Sequence, residues 1–277
     1  MSGSGHPARG RGCTVGPVID RGLHIKVESD RFGIVLAATD PGTRVPTCPE
    51  WNAADLLKHL IRVHQFWAAV IGDRLTAEAV GEFEKSRPAL PDDPVQLQDL
   101  RREATADLLS ALRSRDPSEQ AWSWFPPDQT VGFTWRMQTH EATMHRVDAE
   151  LAAGLPISPI SPEVAADGID HAINVMWAWA PADVERRVTG TIQLKATDTD
   201  QSWLVKTIRW SGQAWGQSFE NQVGCERADV SQPDATVTGT AEDLDLLVWT
   251  RANRSVVRSG DQHALGEFQA MLDDGIK

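Results

Sequence analysis

WNAADLLKHLIRVH (residues 51–64) and WRMQTHEATMHRVDAE (residues 135–150) are the two stretches on which the fold turns. In the first, Asn52 stands where a helix N-cap belongs, and Asp55 three residues later can return the second hydrogen bond of a capping box. Trp51 before the cap and Leu56 after it can close a hydrophobic staple. Leu56, Leu57, Leu60, Ile61, Val63, Phe66, Trp67 and Val70 then recur at helical spacing to about Asp73. The second stretch belongs to a helix running from about Phe133 to Ala153 and stopped by Gly154. Within it Glu141 and His145 are four residues apart, which places them on one face, one turn apart. His59 sits on the first helix. If the two helices pack side by side, two imidazoles and one carboxylate converge on a single divalent metal and leave positions open for a ligand.

A His2Glu set suits zinc with an exchangeable fourth position, and it also suits Fe(II). His140 precedes Glu141, but the spacing is HExxxH and the zincin pattern HExxH is absent. His140 and His145 lie about 140° apart around a helix and do not share a metal; the same holds for His59 and His64. His64 and His140 are therefore read as polar surface or as the rim of the site. Asp55 is explained by its capping role, although it also lies one turn before His59. Asp148 can orient His145, or pair with Arg146 or Arg136, or be a solvated helix charge. Cys48 reads as a buried turn cysteine rather than a nucleophile. Trp51, Trp67 and Trp135 read as core or pocket walls. No P-loop, GxGxxG or GxSxG is present.

Further helices are expected over residues 25–39 and 94–115, and in PEVAADGIDHAINVMWAWA (162–180). The turn DPGTRVPTCPE (40–50) and the loop RDPSEQAWSWFPPDQT (115–130) separate them. Long amphipathic helices with loops between them point to a helix bundle. After Pro181 the texture changes. RRVTGTIQLKATD, SWLVKTIRWSGQAWGQS, DATVTGT and SVVRSGD read as strands, and AEDLDLLVWTRA and HALGEFQAMLDDG as helices. The expected organisation is a leader without fixed structure over 1–22, a helical domain over 23–181 and a small α+β domain over 182–277.

The length of 277 residues suits one large or two modest domains, and a hydrophobic fraction of 41% supports a proper core. A net charge of −12 argues against nucleic acid or an anionic membrane as the main partner. No apolar run has transmembrane length, and the first residues lack the apolar centre of a signal peptide. Cys13, Cys48 and Cys225 are scattered and form no disulfide framework, so a cytoplasmic location is expected. Arginine far outnumbers lysine, and Ala, Asp and Val are abundant, as in GC-rich bacterial genomes.

VPTCPEWNAADLLKHLIRVHQFW resembles the opening signature of the mycothiol-dependent maleylpyruvate isomerase family, through Val45, Pro46, Cys48, Pro49, Trp51, Asp55, Leu56, His59 and Leu60. The later stretch is similar to that family's second signature, through Arg136, His140, Glu141, His145, Arg146, Asp148, Ala149 and Glu150. Glu50 stands where the family usually has a small residue, Val147 replaces a more typical aromatic, and the chain has no tyrosine. The resemblance covers about residues 25–275. It implies a DinB-like four-helix bundle that binds zinc through His59, Glu141 and His145, followed by an α+β domain similar to sterol carrier proteins. It also implies mycothiol as a thiol cosubstrate, activated on the metal to attack a small electrophile, with either cis–trans isomerisation or S-transfer as the outcome. Arg136, Arg146 and Arg209 are candidates to hold a substrate carboxylate. A non-catalytic metal- or ligand-binding protein and a hydrolase using zinc-bound water stay open as alternatives, as do monomer and homodimer.

Overall fold

The computed structural model describes residues 19–276, apart from 179, 182, 215, 253 and 254. Helix α1 (Arg21–Ala37) is capped by Asp20, whose carboxylate accepts from the backbone of Leu23. The last two residues of the stretch expected to be a leader therefore lie in a helix, and residues 1–18 fall outside the described residues. A short hairpin, β1 (Arg44–Val45) and β2 (Cys48–Asn52), occupies the turn expected over 40–50. Helix α2 (Ala53–Gly72) starts on the capping box read from sequence: Asn52 accepts from the Asp55 backbone, and the Asp55 carboxylate accepts from that of Asn52. Helix α3 (Ala77–Ser86) buries none of its residues. Helices α4 (Pro94–Arg113) and α5 (Val131–Ala152) complete the helical part.

Helices α1, α2, α4 and α5 form a four-helix bundle in which α2 packs on α4 and α5, and α1 on α5 and α4. Leu56 and Leu57 at the start of α2 share an apolar cluster with Ala149 near the end of α5. Trp67 and Ile71 at the end of α2 share another with Val131 and Phe133 at the start of α5. The two helices thus run antiparallel, which sets His59 against the middle of α5. Each fully buried side chain of this size contributes about 1.5–3 kcal/mol, so the pairing is firmly fixed.

The C-terminal part begins with α6 (Pro162–His171), which runs into a single π-helical turn, Ala172–Met176. Five strands follow in the order β5-β4-β3-β6-β7: β3 (Glu185–Ala196), β4 (Ser202–Ala214), β5 (Gln217–Arg227), β6 (Ala235–Gly239) and β7 (Val257–Gly260). The pairing is antiparallel except between β3 and β6. Helices α7 (Ala241–Val248) and α8 (Gln262–Asp274) pack against it. Alternating side chains of the sheet (Ile192, Leu194, Val205 and Val237) join Val164, Ile169, Leu244 and Phe268 in one core. Helix α6 packs on α7 and belongs to this core. By packing it goes with the sheet rather than with the helical domain that the sequence extended to residue 181.

Met144 and Val147 of α5 reach into that second core. Helix α5 is consequently enclosed by the bundle on one side and by the C-terminal part on the other. From Met137 to Glu150 every residue is buried except Glu141. Among the described residues, no helix is long and apolar enough to cross a membrane.

Candidate metal centre

Helix α5 is polar in sequence and buried in fact, so its polar side chains must be satisfied from within. Thr139 and Thr143 donate to the carbonyls one turn back. Three of its charged or titratable side chains, Glu141, His145 and Asp148, form one connected group. The Nε2 atoms of His59 and His145 lie 3.3 and 3.1 Å from the same carboxylate oxygen, Oε1 of Glu141. One ligand atom from each of the three residues falls within 4.8 Å of the other two. The two imidazoles meet edge to face with centroids 4.7 Å apart, and Trp51 covers them, 4.6 Å from His59 and 6.4 Å from His145. The side chains of His59 and Glu141 remain 31% and 25% exposed, so the cluster opens to solvent on the α2 side, while that of His145 is nearly sealed.

His145 is held from behind. Its Nδ1 donates to Oδ2 of Asp148 at 2.9 Å, which leaves Nε2 facing Glu141. Asp148 is fully buried and is itself anchored at two further points. Thr47 of the hairpin donates to Oδ1 at 2.5 Å, and the guanidinium of Arg251 lies 3.0 Å from Oδ1 and 3.2 Å from Oδ2. A carboxylate that fixes the tautomer and aim of a histidine in this way is the usual support of a metal-binding imidazole.

The electrostatics agree with a site built for a cation. Burial alone would suppress the charge on His145, but the Glu141 carboxylate and hydrogen bonds to Asp148 and Glu141 outweigh it and raise the imidazole to about 9. Burial would likewise raise Glu141 and Asp148. His145 and His59 nevertheless hold Glu141 well below the usual carboxylate range, and Arg251 and His145 lower Asp148. The buried Asp148 and the partly exposed Glu141 thus stabilise positive charge at His145, whether a proton or a metal supplies it.

The other residues singled out in sequence are placed elsewhere. Arg136 is bound to Asp167 and Asp170. Arg146 is buried between Glu28, Glu150 and the carbonyl of Ser158. Arg209 pairs with Glu267 at 2.8 Å. All three cations suggested for a substrate carboxylate are therefore engaged in ion pairs away from Glu141. Asp148 pairs with neither Arg146 nor Arg136 but with Arg251, which was not picked out in sequence. Cys48 is half-buried, and burial together with Asp148 pushes its thiol up, away from nucleophilic character.

The reading of His64 and His140 as surface or rim is corrected, since both are fully buried. His64 meets the Thr105 hydroxyl at 3.0 Å inside the bundle, and burial lowers it to about 3. His140 bonds to Asp167 at 2.9 Å, with its ring 5.2 Å from His171 and 6.0 Å from Trp249. His64 is buried because α2 packs on α4, and His140 because α5 is enclosed on both sides, neither of which the local sequence announces.

Two family models match the chain. Residues 23–150 match the mycothiol maleylpyruvate isomerase N-terminal domain, and residues 163–267 match the corresponding C-terminal domain. The chain belongs to the mycothiol maleylpyruvate isomerase family. In this family frame His59, Glu141, His145 and Asp148 all come from the N-terminal domain, and Arg251 from the C-terminal one. The Asp148–Arg251 pair therefore ties the second domain to the back of the candidate metal centre. Helix α6 starts at the boundary of the C-terminal match, in keeping with its packing. Among solved structures, that of the mycothiol-dependent maleylpyruvate isomerase and that of its histidine-to-alanine mutant align with a TM-score of 0.58 at 14% identity. Each alignment covers 90% of this chain and 95% of the other. At that identity the likeness speaks for the fold. No curated protein sequence matches significantly.

Proposed function

We propose that the protein binds a divalent metal, zinc in the first instance, through His59, Glu141 and His145, and uses it to activate mycothiol against a small electrophile. The observation that carries this reading is the convergence of two imidazole Nε2 atoms on one carboxylate oxygen, with His145 fixed from behind by Asp148. The donor set fits the ion: three N/O ligands and an exposed side are the composition of a catalytic rather than a structural zinc site. When bound there, the metal lowers the pKa of a coordinated thiol and holds it as a thiolate at neutral pH.

The chain's own residues account for the rest. Glu141 supplies the negative charge that retains the cation. Asp148, itself held by Thr47 and Arg251, keeps Nε2 of His145 aimed at the metal position. Trp51 shields the two imidazoles from water on the hairpin side. The open side between His59 and Glu141 is where thiol and electrophile meet. Addition of the thiolate to a conjugated double bond forms a C–S bond and leaves a carbanion-like centre. Rotation followed by expulsion of the thiolate gives the cis–trans isomer, whereas protonation of that centre and release gives the thioether. The family points to isomerisation; thiol S-transfer uses the same site and differs only in the fate of the adduct.

Incubation of the metal-loaded protein with mycothiol and a panel of electrophiles, read by mass spectrometry, tests the proposal. Isomerised substrate with the thiol returned, or a thioether product, is expected, and either should disappear in His59→Ala. Absence of turnover across the panel by a protein that does carry the metal would favour a binding role.

A further inference from the structure

Between α2 and α4 lies a groove of about 800 Å3, walled on its third side by Phe83 of α3 and by residues 86–91. Its α2 side runs from Arg62 to Asp73, about 17 Å along the helix. Arg62 follows His59 by three residues, so the groove begins about one turn of α2 from the metal centre. None of its lining residues belongs to that centre.

The groove is constructed rather than left over. Its floor is made of small residues, Ala68, Ala69 and Gly72 of α2 with Ala111 of α4, which leave open the space that larger side chains would fill. The third wall is stitched down. Arg87 donates to the carbonyl of Arg62 at 2.8 Å, Arg62 donates to that of Pro88, and Lys58 pairs with Asp92 at 2.6 Å. The ring of Phe83 rests against Phe66, with centroids 6.3 Å apart. Helix α3 buries none of its residues fully, so its contribution is this wall rather than the core. The charged lining is balanced: Arg62 and Arg87 stand against Asp73 and Asp107, and Gln65 adds a neutral amide. The side chains of Gln65, Asp73 and Asp107 make no hydrogen bond or ion pair among the described residues.

We propose that this groove holds the polyhydroxylated part of the thiol whose sulfur lies at the metal, so that one ligand spans both sites. The inference rests on the reading of mycothiol as cosubstrate, a thiol carried on two polyhydroxylated rings. A ring hydroxyl both donates and accepts, so its site needs acceptors and donors side by side. Carboxylates accept, guanidinium groups donate, and the amide of Gln65 does both. Equal numbers of positive and negative side chains suit an uncharged ligand and favour neither a cation nor an anion. Phe83 supplies an aromatic ring for the C–H side of a sugar, and a groove with a few placed polar groups is the common form of a small-molecule site.

Two thiols separate the groove from the metal: mycothiol, and N-acetylcysteine, which has the thiol end without the rings. On the full chain loaded with Co(II), the thiolate absorption should half-saturate with mycothiol at a concentration about ten-fold or more below that needed with N-acetylcysteine, the scale of two added hydrogen bonds. Gln65→Ala and Asp107→Ala, both outside the core, should each raise the mycothiol value by about five-fold, the scale of one lost hydrogen bond, and leave the N-acetylcysteine value unchanged. S-methylmycothiol, whose sulfur has no proton to lose, should bind the metal-free protein saturably and weaken by a similar factor in both variants. Equal half-saturation by the two thiols, or variants that affect both thiols alike, overturns the groove and leaves the metal reading intact. Cobalt that ignores both thiols overturns the metal reading. The groove is then judged by S-methylmycothiol alone: failure to bind, or binding that both variants leave untouched, overturns it.

Discussion

Replacing Asp148 by Asn retains size and an acceptor oxygen but removes the charge that holds both His145 and Arg251. The side chain of Asp148 is fully buried, and that of Arg251 is only 8% exposed. A buried pair broken on one side costs about 3–5 kcal/mol, because the surviving charge is left uncompensated. The amide can still accept, so the lower end applies, about 3 kcal/mol. At about 2–4 °C per kcal/mol for a chain of this size, the metal-free protein should melt about 6–12 °C lower. The second effect is on the metal: loss of the carboxylate behind a ligating imidazole weakens affinity by about 10–100-fold, equivalent to about 1.4–2.7 kcal/mol. Thermal melts of the metal-free protein and chelator competition read the two effects separately. The double variant Asp148→Asn/Arg251→Met removes the stranded cation, so stability should recover while metal affinity stays low. A folded Asp148→Asn that binds metal within about two-fold of the parent, well inside that 10–100-fold range, would refute the claim that Asp148 works through His145.

His145 carries a folded-state value of about 9, above its unfolded value of about 6.5. In the metal-free protein its stabilisation is complete below about pH 6.5 and is lost as pH rises through about 9. A metal must displace that proton, so affinity should rise by about ten-fold per pH unit from 7 toward 9. Calorimetry in buffers of different ionisation enthalpy should show about one proton released per metal at neutral pH; a flat profile contradicts the ligand role of His145. Arg146→Met removes the buried cation between Glu28 and Glu150 and leaves Glu150 with Arg31 as its counter-charge, so it should destabilise by about 3 kcal/mol, the lower end for a broken buried pair, with no change in metal affinity in a chelator competition. Cys48→Ala should retain full turnover in the mycothiol incubation, because the Cys48 thiol is pushed up and is not the nucleophile. A large loss would reopen that role.

The features legible in sequence were those that depend on local spacing. The capping box at Asn52 and Asp55 fixed where α2 begins and thereby which face His59 takes. The four-residue step from Glu141 to His145 placed both on one stripe of α5. What stayed hidden depends on what packs against what. Thr47 and Arg251 both meet Asp148, from 101 and 103 residues away, and no local pattern encodes such a meeting. His64 and His140 were read as surface or rim because each points about 140° away from the metal-facing histidine of its helix, yet the far side of α2 is covered by α4 and that of α5 by a second core. Helix α3, which buries nothing fully, has only the short apolar face of Ala79, Val80 and Phe83, too brief to stand out between two loops. Helix α6 was legible as a helix but not as a member of the sheet's core, since its apolar face fits either neighbour.

The central claim is that His59, Glu141 and His145 hold a metal that receives a thiol. Loading the protein with Co(II) and adding mycothiol tests it at the metal itself, before any substrate is chosen. One cobalt per chain is expected, and the thiol should bring up a sulfur-to-cobalt charge-transfer band that saturates at one equivalent and is absent in His59→Ala. A protein that binds no stoichiometric cobalt, or whose cobalt spectrum ignores mycothiol, contradicts the account.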